Sequence, residues 1–186
     1  LPAWGFDAAA FHPDPLLAAD EQVRRAIAAR VSDLDLAVTV HGHCEMTREQ
    51  ITTLAELFED RLRCFSFDAA MTMDARGYLY DAARIARVIR WTLEVTASVG
   101  SWVAMEDFPL DATAQAFYQP ELGSVLENPR AAALIDLGHM NLRRTQSAHF
   151  AEQSAAQYLA AVPVPVVELH VHDNNGKRDE HRHLGE

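Results

Sequence analysis

Short apolar runs return along this chain at intervals of roughly 30 residues, and that rhythm restricts the available folds more than any other feature. The runs are Phe6–Phe11, Leu36–Val40, Cys64–Phe67, Trp102–Met105, Ala133–Ile135 and Val162–Val171. Their β-branched and aromatic content reads as buried strand. Most are separated by stretches of helical periodicity. Glu21–Val31 places Val23, Ile27 and Val31 four apart, and Thr47–Leu62 carries Ile51, Leu54, Leu57 and Phe58 behind a Thr47/Gln50 capping box. Tyr80–Val99 is the longest such stretch and is closed by Gly100; Ser147–Ala161 is Ala-rich and ends before Pro163. Residues 109–129 read as a long loop with short helical turns around Leu122–Glu127. Strand–helix alternation predicts parallel β/α units with right-handed crossovers. An open doubly wound sheet and a closed (β/α) barrel both satisfy it, but the open sheet usually carries a Gly-rich phosphate loop after its first strand, and neither GxGxxG nor GxxxxGK[ST] is present.

The residues that close the runs favour the barrel. They are His12, His41, Asp68, Glu106, Asp136 and His170, all capable of binding a metal. Barrel strands converge at their C-terminal ends, where the active site sits, so six strands deliver ligands to one mouth. In an open sheet the outer strand ends stand too far apart to share a site. Any one of these residues alone is better explained as a helix cap or a solvated strand end; the set is not.

The last run leads into His170-Val-His172-Asp173-Asn-Asn-Gly-Lys-Arg-Asp179-Glu-His181-Arg-His183-Leu-Gly-Glu186. Imidazole and carboxylate together form the ligand set of zinc, manganese and iron(II) sites. The alternatives are a solvated charged tail or the remnant of an affinity tag. A tag would be monotonous histidine, whereas here histidines alternate with acids behind a strand.

Composition narrows the function classes. The chain has 186 residues, 49% of them apolar, enough for one substantial core. No apolar run is long enough to span a bilayer, and the N-terminus lacks a basic-then-apolar signal pattern. Cys44 and Cys64 are too few for a disulfide framework, which makes a reducing cytoplasm the expected location. The net charge of −11 disfavours a nucleic-acid partner, because phosphate contacts need clustered Lys and Arg.

Three motifs stand together: Val103-Ala-Met-Glu106-Asp-Phe-Pro109, Leu134-Ile-Asp136-Leu-Gly-His139-Met-Asn141, and the run from His170. In combination they resemble the xylose-isomerase-like barrel superfamily, which holds sugar (phosphate) isomerases and epimerases and the apurinic-site endonucleases. The Tyr80-Asp-Ala-Ala-Arg84 helix start also looks typical of it. The resemblance runs from Gly5-Phe-Asp-Ala, as a second barrel strand, to the loop after the seventh. It implies one (β/α)8 barrel domain over residues 1–186, seen without its first and last strands, in a polypeptide that extends beyond both Leu1 and Glu186. It implies one or more divalent metal ions (zinc, manganese or magnesium) at the barrel mouth. The family's ligand positions fall on Glu106, Asp136, His139 and His170. Its loop pair Asp-x-His, which holds a further metal in the endonuclease branch, falls on Asp179 and His181. The early histidine falls on His41, with His43 as the alternative. Two departures stand out: Asp68 occupies the place of an endonuclease histidine, and the ligand glutamate of the eighth strand is absent.

These residues make chemical sense for a sugar isomerase or epimerase. A metal held by Glu106, Asp136 and His170 leaves positions open for two vicinal oxygens and polarises a carbonyl, while a carboxylate such as Glu106 removes the neighbouring proton. The expected partner is a small sugar-like molecule; the chain leaves the oligomeric state open, a homo-oligomer included. The alternatives are an apurinic-site endonuclease-like metal-dependent phosphodiesterase, in which His139, Asp179 and His181 hold further metals, and a non-catalytic metal- or ligand-binding relative. His172 and His183 are candidates for orienting ligands or substrate. Arg178 and Lys177 are candidates for a substrate phosphate, though a solvated loop suits both. Trp102 and Phe108 flank Glu106 and are candidates for the pocket wall, with core packing an equal prospect. His149 reads as a surface residue, and Cys44 and Cys64 as inert.

Overall fold

The computed structural model describes residues 5–43, 45–67, 71–74, 77–80, 90, 94, 100–106, 127–146, 151–152 and 154–185. Six strands form one parallel sheet: β1 (Ala8–Phe11), β2 (Ala37–Gly42), β3 (Leu62–Phe67), β6 (Trp102–Glu106), β7 (Ala131–Asp136) and β8 (Val166–His170). They lie side by side in chain order, as right-handed β/α units require. Each of the six apolar runs read from the sequence overlaps one of them. Between β3 and β6 the chain adds an antiparallel hairpin, β4 (Met71–Asp74) and β5 (Gly77–Tyr80), which the sequence reading did not anticipate.

The sheet curls. β2 and β8 are four strand steps apart, about 19 Å on a flat sheet at about 4.8 Å per step. Yet the rings of His41, near the end of β2, and His170, at the end of β8, have centroids only 4.8 Å apart. No pair of imidazoles bridges a flat sheet over that span. The architecture is therefore a partial (β/α) barrel, with the strand ends converging on one mouth.

The two faces differ. The outer face buries Val38, Val40, Phe65, Phe67, Val103, Met105, Ala133 and Ile135 against the helices in the main apolar core. The inner face is narrower and holds Cys64, Ala104, Ala132 and Leu134. Strand parity carries polar groups to that inner face near the mouth: His41 pairs in register with Ser66, Glu106 with Leu134, and Asp136 with His170. A register shift between Ala133 and Leu134 sets the last pairing. Ala133 opposes Val166, but Leu134 opposes Glu168, so the shift turns Glu168 and His170 inward.

The helices cover the outer face. α1 (Pro13–Ala18) follows β1 immediately. α2 (Glu21–Asp33) starts at Asp20, whose carboxylate accepts the Val23 N–H at 2.8 Å. α3 (Arg48–Phe58) carries the expected Thr47/Gln50 capping box and buries Ile51, Leu54, Ala55 and Phe58. It stops short of Leu62: a 3-10 turn, Glu59–Arg61, intervenes and Leu62 already belongs to β3. α4 (Leu137–Gln146) grows directly from β7, a helix the sequence reading did not place. α5 (Ala155–Ala161), capped reciprocally by Ser154 and Gln157, is the last part of the expected Ala-rich helix. Of the expected helix Tyr80–Val99, Tyr80 closes β5, Arg90 and Glu94 are helical, and the remainder lies outside the described residues. No helix among the described residues is long and apolar enough to cross a membrane.

Candidate metal centre

Glu106 closes β6 and is 7% exposed; Asp136 closes β7 and is 1% exposed. A carboxylate so buried is costly unless charge or hydrogen bonding compensates it, and here histidines surround both. Glu106 Oε1 lies 2.8 Å from His139 Nδ1, and Oε2 lies 3.5 Å from His41 Nε2. Asp136 Oδ1 accepts the backbone N–H of His139 at 2.9 Å, as an N-terminal cap of α4 would. The same oxygen lies 3.0 Å from His172 Nε2, and Oδ2 lies 3.7 Å from His170 Nδ1.

Among the described residues, three groups bring donor atoms within 4.8 Å of one another: His41, Glu106 and His170; Glu106, Asp136 and His139; and His139, His172, Asp179 and His181. Donors sharing one ion at about 2.1 Å stand at most about 4.2 Å apart, so each group needs only small adjustments to hold a divalent cation. The mixed nitrogen and carboxylate donors suit zinc or manganese. Glu106 joins the first two groups and His139 the last two, which makes one continuous constellation. His139 is the bridge: Nδ1 faces Glu106, and Nε2 lies 3.1 Å from Asp179 Oδ2.

The loop after β8 is folded by residues outside the three donor groups. Asp173 exchanges two backbone hydrogen bonds of 2.9 Å with Arg182, and its Oδ2 accepts the Gly185 N–H at 3.0 Å. Buried Asn174 donates to the Gly138 carbonyl at 2.8 Å and accepts from Asn141 Nδ2 and the Gly176 N–H, each at 2.9 Å. Gly176, at φ +72°, makes the turn against Thr145. The loop is thereby clamped to α4, and Asp179 and His181 come back over the mouth. His181 has φ +48°, an uncommon conformation for a side chain-bearing residue, and its Nε2 lies 3.2 Å from Asp179 Oδ2. His172 stacks on His181 with centroids 4.0 Å apart. Its ring also occupies the space above Gly138, where a Cβ would stand 2.1 Å from ring carbon Cε1, so the Gly of the D-x-G-H element is required by contact.

Several sequence expectations meet a different placement. His43 sits 3.2 Å from Asp14 and His12 contacts the same aspartate at 4.0 Å; among the described residues neither joins a donor group, whereas His41 does. Trp102 opens β6 while Glu106 closes it, about 13 Å away at 3.3 Å per residue, so Trp102 cannot wall the mouth. Arg178 is exposed on the loop, its backbone N–H bonded to Asn175. Asp68, Phe108, His149 and Cys44 lie outside the described residues.

The sequence reading overlooked Glu168. It lies inside β8, and its Oε1 is 3.5 Å from His170 Nε2. Burial pushes its carboxyl up, but hydrogen bonding with His170 and Ser66 brings it below the ordinary carboxylate range. Its carboxylate raises His170 in turn, and burial together with Glu168 pushes the Cys64 thiol far up, consistent with an inert cysteine. Burial, with His170 alongside, lowers His41 to about 4, so it is neutral and available as a ligand near pH 7. The available signal was parity: a lone acid two residues before a strand-end ligand faces the same side as that ligand.

The fold has solved counterparts. It matches a D-tagatose 3-epimerase-like protein with a TM-score of 0.60 at 16% identity, covering 97% of this chain and 73% of that one. It matches a D-psicose 3-epimerase, solved in the presence of D-fructose, with a TM-score of 0.59 at 12% identity, covering 92% of this chain and 64% of that one. No protein-family model matches the chain, and no curated protein matches it in sequence. At these identities the likeness is one of fold, a (β/α) barrel as expected from the sequence.

Proposed function

We propose that this chain is a divalent-metal-dependent isomerase or epimerase of a sugar or sugar derivative. The observation that carries the proposal is Glu106: a buried carboxylate at the mouth of an epimerase-type barrel, shared between two groups of donors. His41, Glu106, Asp136 and His170 would hold the ion; when bound, it would polarise a substrate carbonyl. Around it the chain's own residues bind and orient. Asp136 holds the first turn of α4, and with it the His139 ring, in place. Glu106 is the strand-end carboxylate best placed to take up a proton beside the carbonyl, and its contact with His139 Nδ1 gives that proton an onward partner.

A second reading has its own observation. His139, His172, Asp179 and His181 form a further donor group, as a multi-metal phosphodiesterase would use to activate water. The net charge of −11 weighs against a DNA substrate.

One experiment separates the two. The purified protein, loaded in turn with Mn(II), Zn(II) and Mg(II), is incubated in deuterium oxide with a panel of ketoses and aldoses and followed by NMR. The expected result is metal-dependent deuterium incorporation next to a carbonyl, lost on chelation and in Glu106→Gln. Metal-dependent nicking of abasic-site DNA without sugar exchange, abolished by His181→Ala, would replace this reading with the second.

A further inference from the structure

We infer that Glu168 and Ser66 are positioning residues that form a floor beneath the metal centre and fix which ring nitrogen His170 and His41 present to the mouth. The inference rests on the metal-site reading above and assigns a task to two residues that the site itself does not use.

The geometry is the same at both histidines. His170 stands between Glu168 and Asp136: Nε2 is 3.5 Å from Glu168 Oε1, and Nδ1 is 3.7 Å from Asp136 Oδ2. His41 stands between Ser66 and Glu106: Nδ1 is 3.1 Å from Ser66 Oγ, and Nε2 is 3.5 Å from Glu106 Oε2. Each ring therefore has one nitrogen on the floor and one at the mouth. A neutral imidazole carries a single N–H, and the nitrogen without it is the ligand. An ionised carboxylate only accepts, so Glu168 draws the His170 N–H to Nε2 and leaves the Nδ1 lone pair facing the mouth.

Ser66 is less decisive by itself, because a hydroxyl both donates and accepts. Glu168 settles its direction. An acceptor carboxylate that interacts with the Ser66 hydroxyl turns the hydroxyl hydrogen towards itself, which leaves an oxygen lone pair for the His41 Nδ1–H 3.1 Å away. His41 then offers Nε2 to the mouth. The register shift that turns Glu168 inward is what builds the floor; without it Glu168 would face the helices. Burying an acid one layer below the ligands has no packing rationale among Cys64, Ala104, Ala132 and Leu134, so a role in orienting the rings accounts for it.

The test combines metal affinity with a direct view of the rings. In zinc-loaded wild-type protein, long-range nitrogen–proton NMR should show His170 protonated on Nε2 and His41 on Nδ1. Glu168→Met, close in size, should weaken zinc and manganese binding about 10–100-fold in calorimetric titration. Its metal-free thermal stability should hold or rise, since an acid leaves the interior; a residue that merely supported the fold would lose both. Glu168→Gln, which keeps an acceptor, should recover part of the affinity. Ser66→Ala should change the ring state of His41 and leave His170 alone. Wild-type rings with the opposite protonation would overturn the inference without recourse to any variant. So would a folded Glu168→Met of unchanged affinity. If the wild type takes up no divalent metal at all, the site reading fails and the inference with it; normal uptake with unmoved rings and affinity fails the inference alone.

Discussion

His41, Glu106 and His170 stand on strands whose spacing is set by a parallel hydrogen-bond ladder, whereas Asp179 and His181 hang from a loop that reaches the same mouth by folding back. The first set needs only the barrel. The second needs Asp173, Asn174 and Gly176 to close the loop onto α4 before any ligand is in place. The difference teaches where each set is vulnerable. Strand-end donors should fail only when they or neighbours on the same sheet, such as Glu168, are replaced, and loop donors should fail when their distant clamps are. Loops of this kind also open at lower free energy than a sheet, which makes the outer group the adjustable part of the site.

The largest expected effect comes from the residue that belongs to two donor groups. Glu106→Gln keeps the size and removes the charge. Metal-dependent turnover should fall about 10²- to 10⁴-fold, and calorimetry should show weakened uptake by the strand-borne donors. If loss of Glu106 spared metal uptake while Asp179→Asn abolished it, the loop would be the principal site and the comparison would invert.

The metal-free strand-borne set should also carry a pH signature. His41 lies near 4 in the folded chain against an ordinary 6.5, because burial disfavours its charged form. Between those values the unfolded chain binds more protons, so stability is complete above about 6.5 and falls as the pH drops towards about 4. The loss approaches about 3 kcal/mol at 1.36 kcal/mol per pH unit. His170 is shifted upward by Glu168 and contributes in the opposite sense, its stabilisation fading as the pH rises. Denaturant titrations of wild type and His41→Asn at pH 7 and 4.5 isolate the His41 part: the variant should lose markedly less on acidification.

Asn174→Ala breaks the loop and leaves the strands alone. It strands the Gly138 carbonyl and the Gly176 N–H in a buried position, which should cost about 1–3 kcal/mol. Zinc stoichiometry should fall through loss of the outer group, with the inner group retained. Equal loss from both groups would mean that the two sets are one cooperative structure.

The same division explains how much could be read from the sequence. All six barrel strands were legible as apolar runs, β3, β6 and β7 most plainly because they are largely buried on both faces, and the polar residues Glu106 and Asp136 that close β6 and β7 mark the mouth. That the D-x-G-H and H-x-H-D-N elements bring donor side chains together was legible, but not which of their residues build the loop. Only the folded loop shows that Asp173 and Asn174 build while His172, Asp179 and His181 approach one another. Trp102 was misplaced because nearness in sequence to Glu106 means distance along a strand. Glu168 was passed over because it lies inside a strand rather than at its end, although its parity with His170 placed the two on one face. α1 and α4 were missed because each starts within a residue or two of a strand, leaving no loop to mark the change of period.

The smallest effect concerns backbone strain. Among the described residues, Asp35, Glu59 and His181 are the non-glycine residues at positive φ, and none lies on a barrel strand. At His181 the φ of +48° belongs to a loop that must aim a ring at Asp179. A left-handed conformation costs an ordinary side chain about 1–2 kcal/mol, part of which glycine returns through the greater freedom of its unfolded chain. His181→Gly and His181→Ala both remove the ligand, but only glycine relieves the conformation. The metal-free glycine variant should therefore be about 0.5–1 kcal/mol more stable than the alanine variant, and both should lose zinc at the outer group alone. Identical stabilities would mean that the loop relaxes once the ring is gone, so that the strain is imposed by the ring's contacts. A glycine variant more stable than wild type by a similar margin would identify the ring's placement as something the loop maintains at the expense of its own stability, which none of the strand-borne ligands has to do.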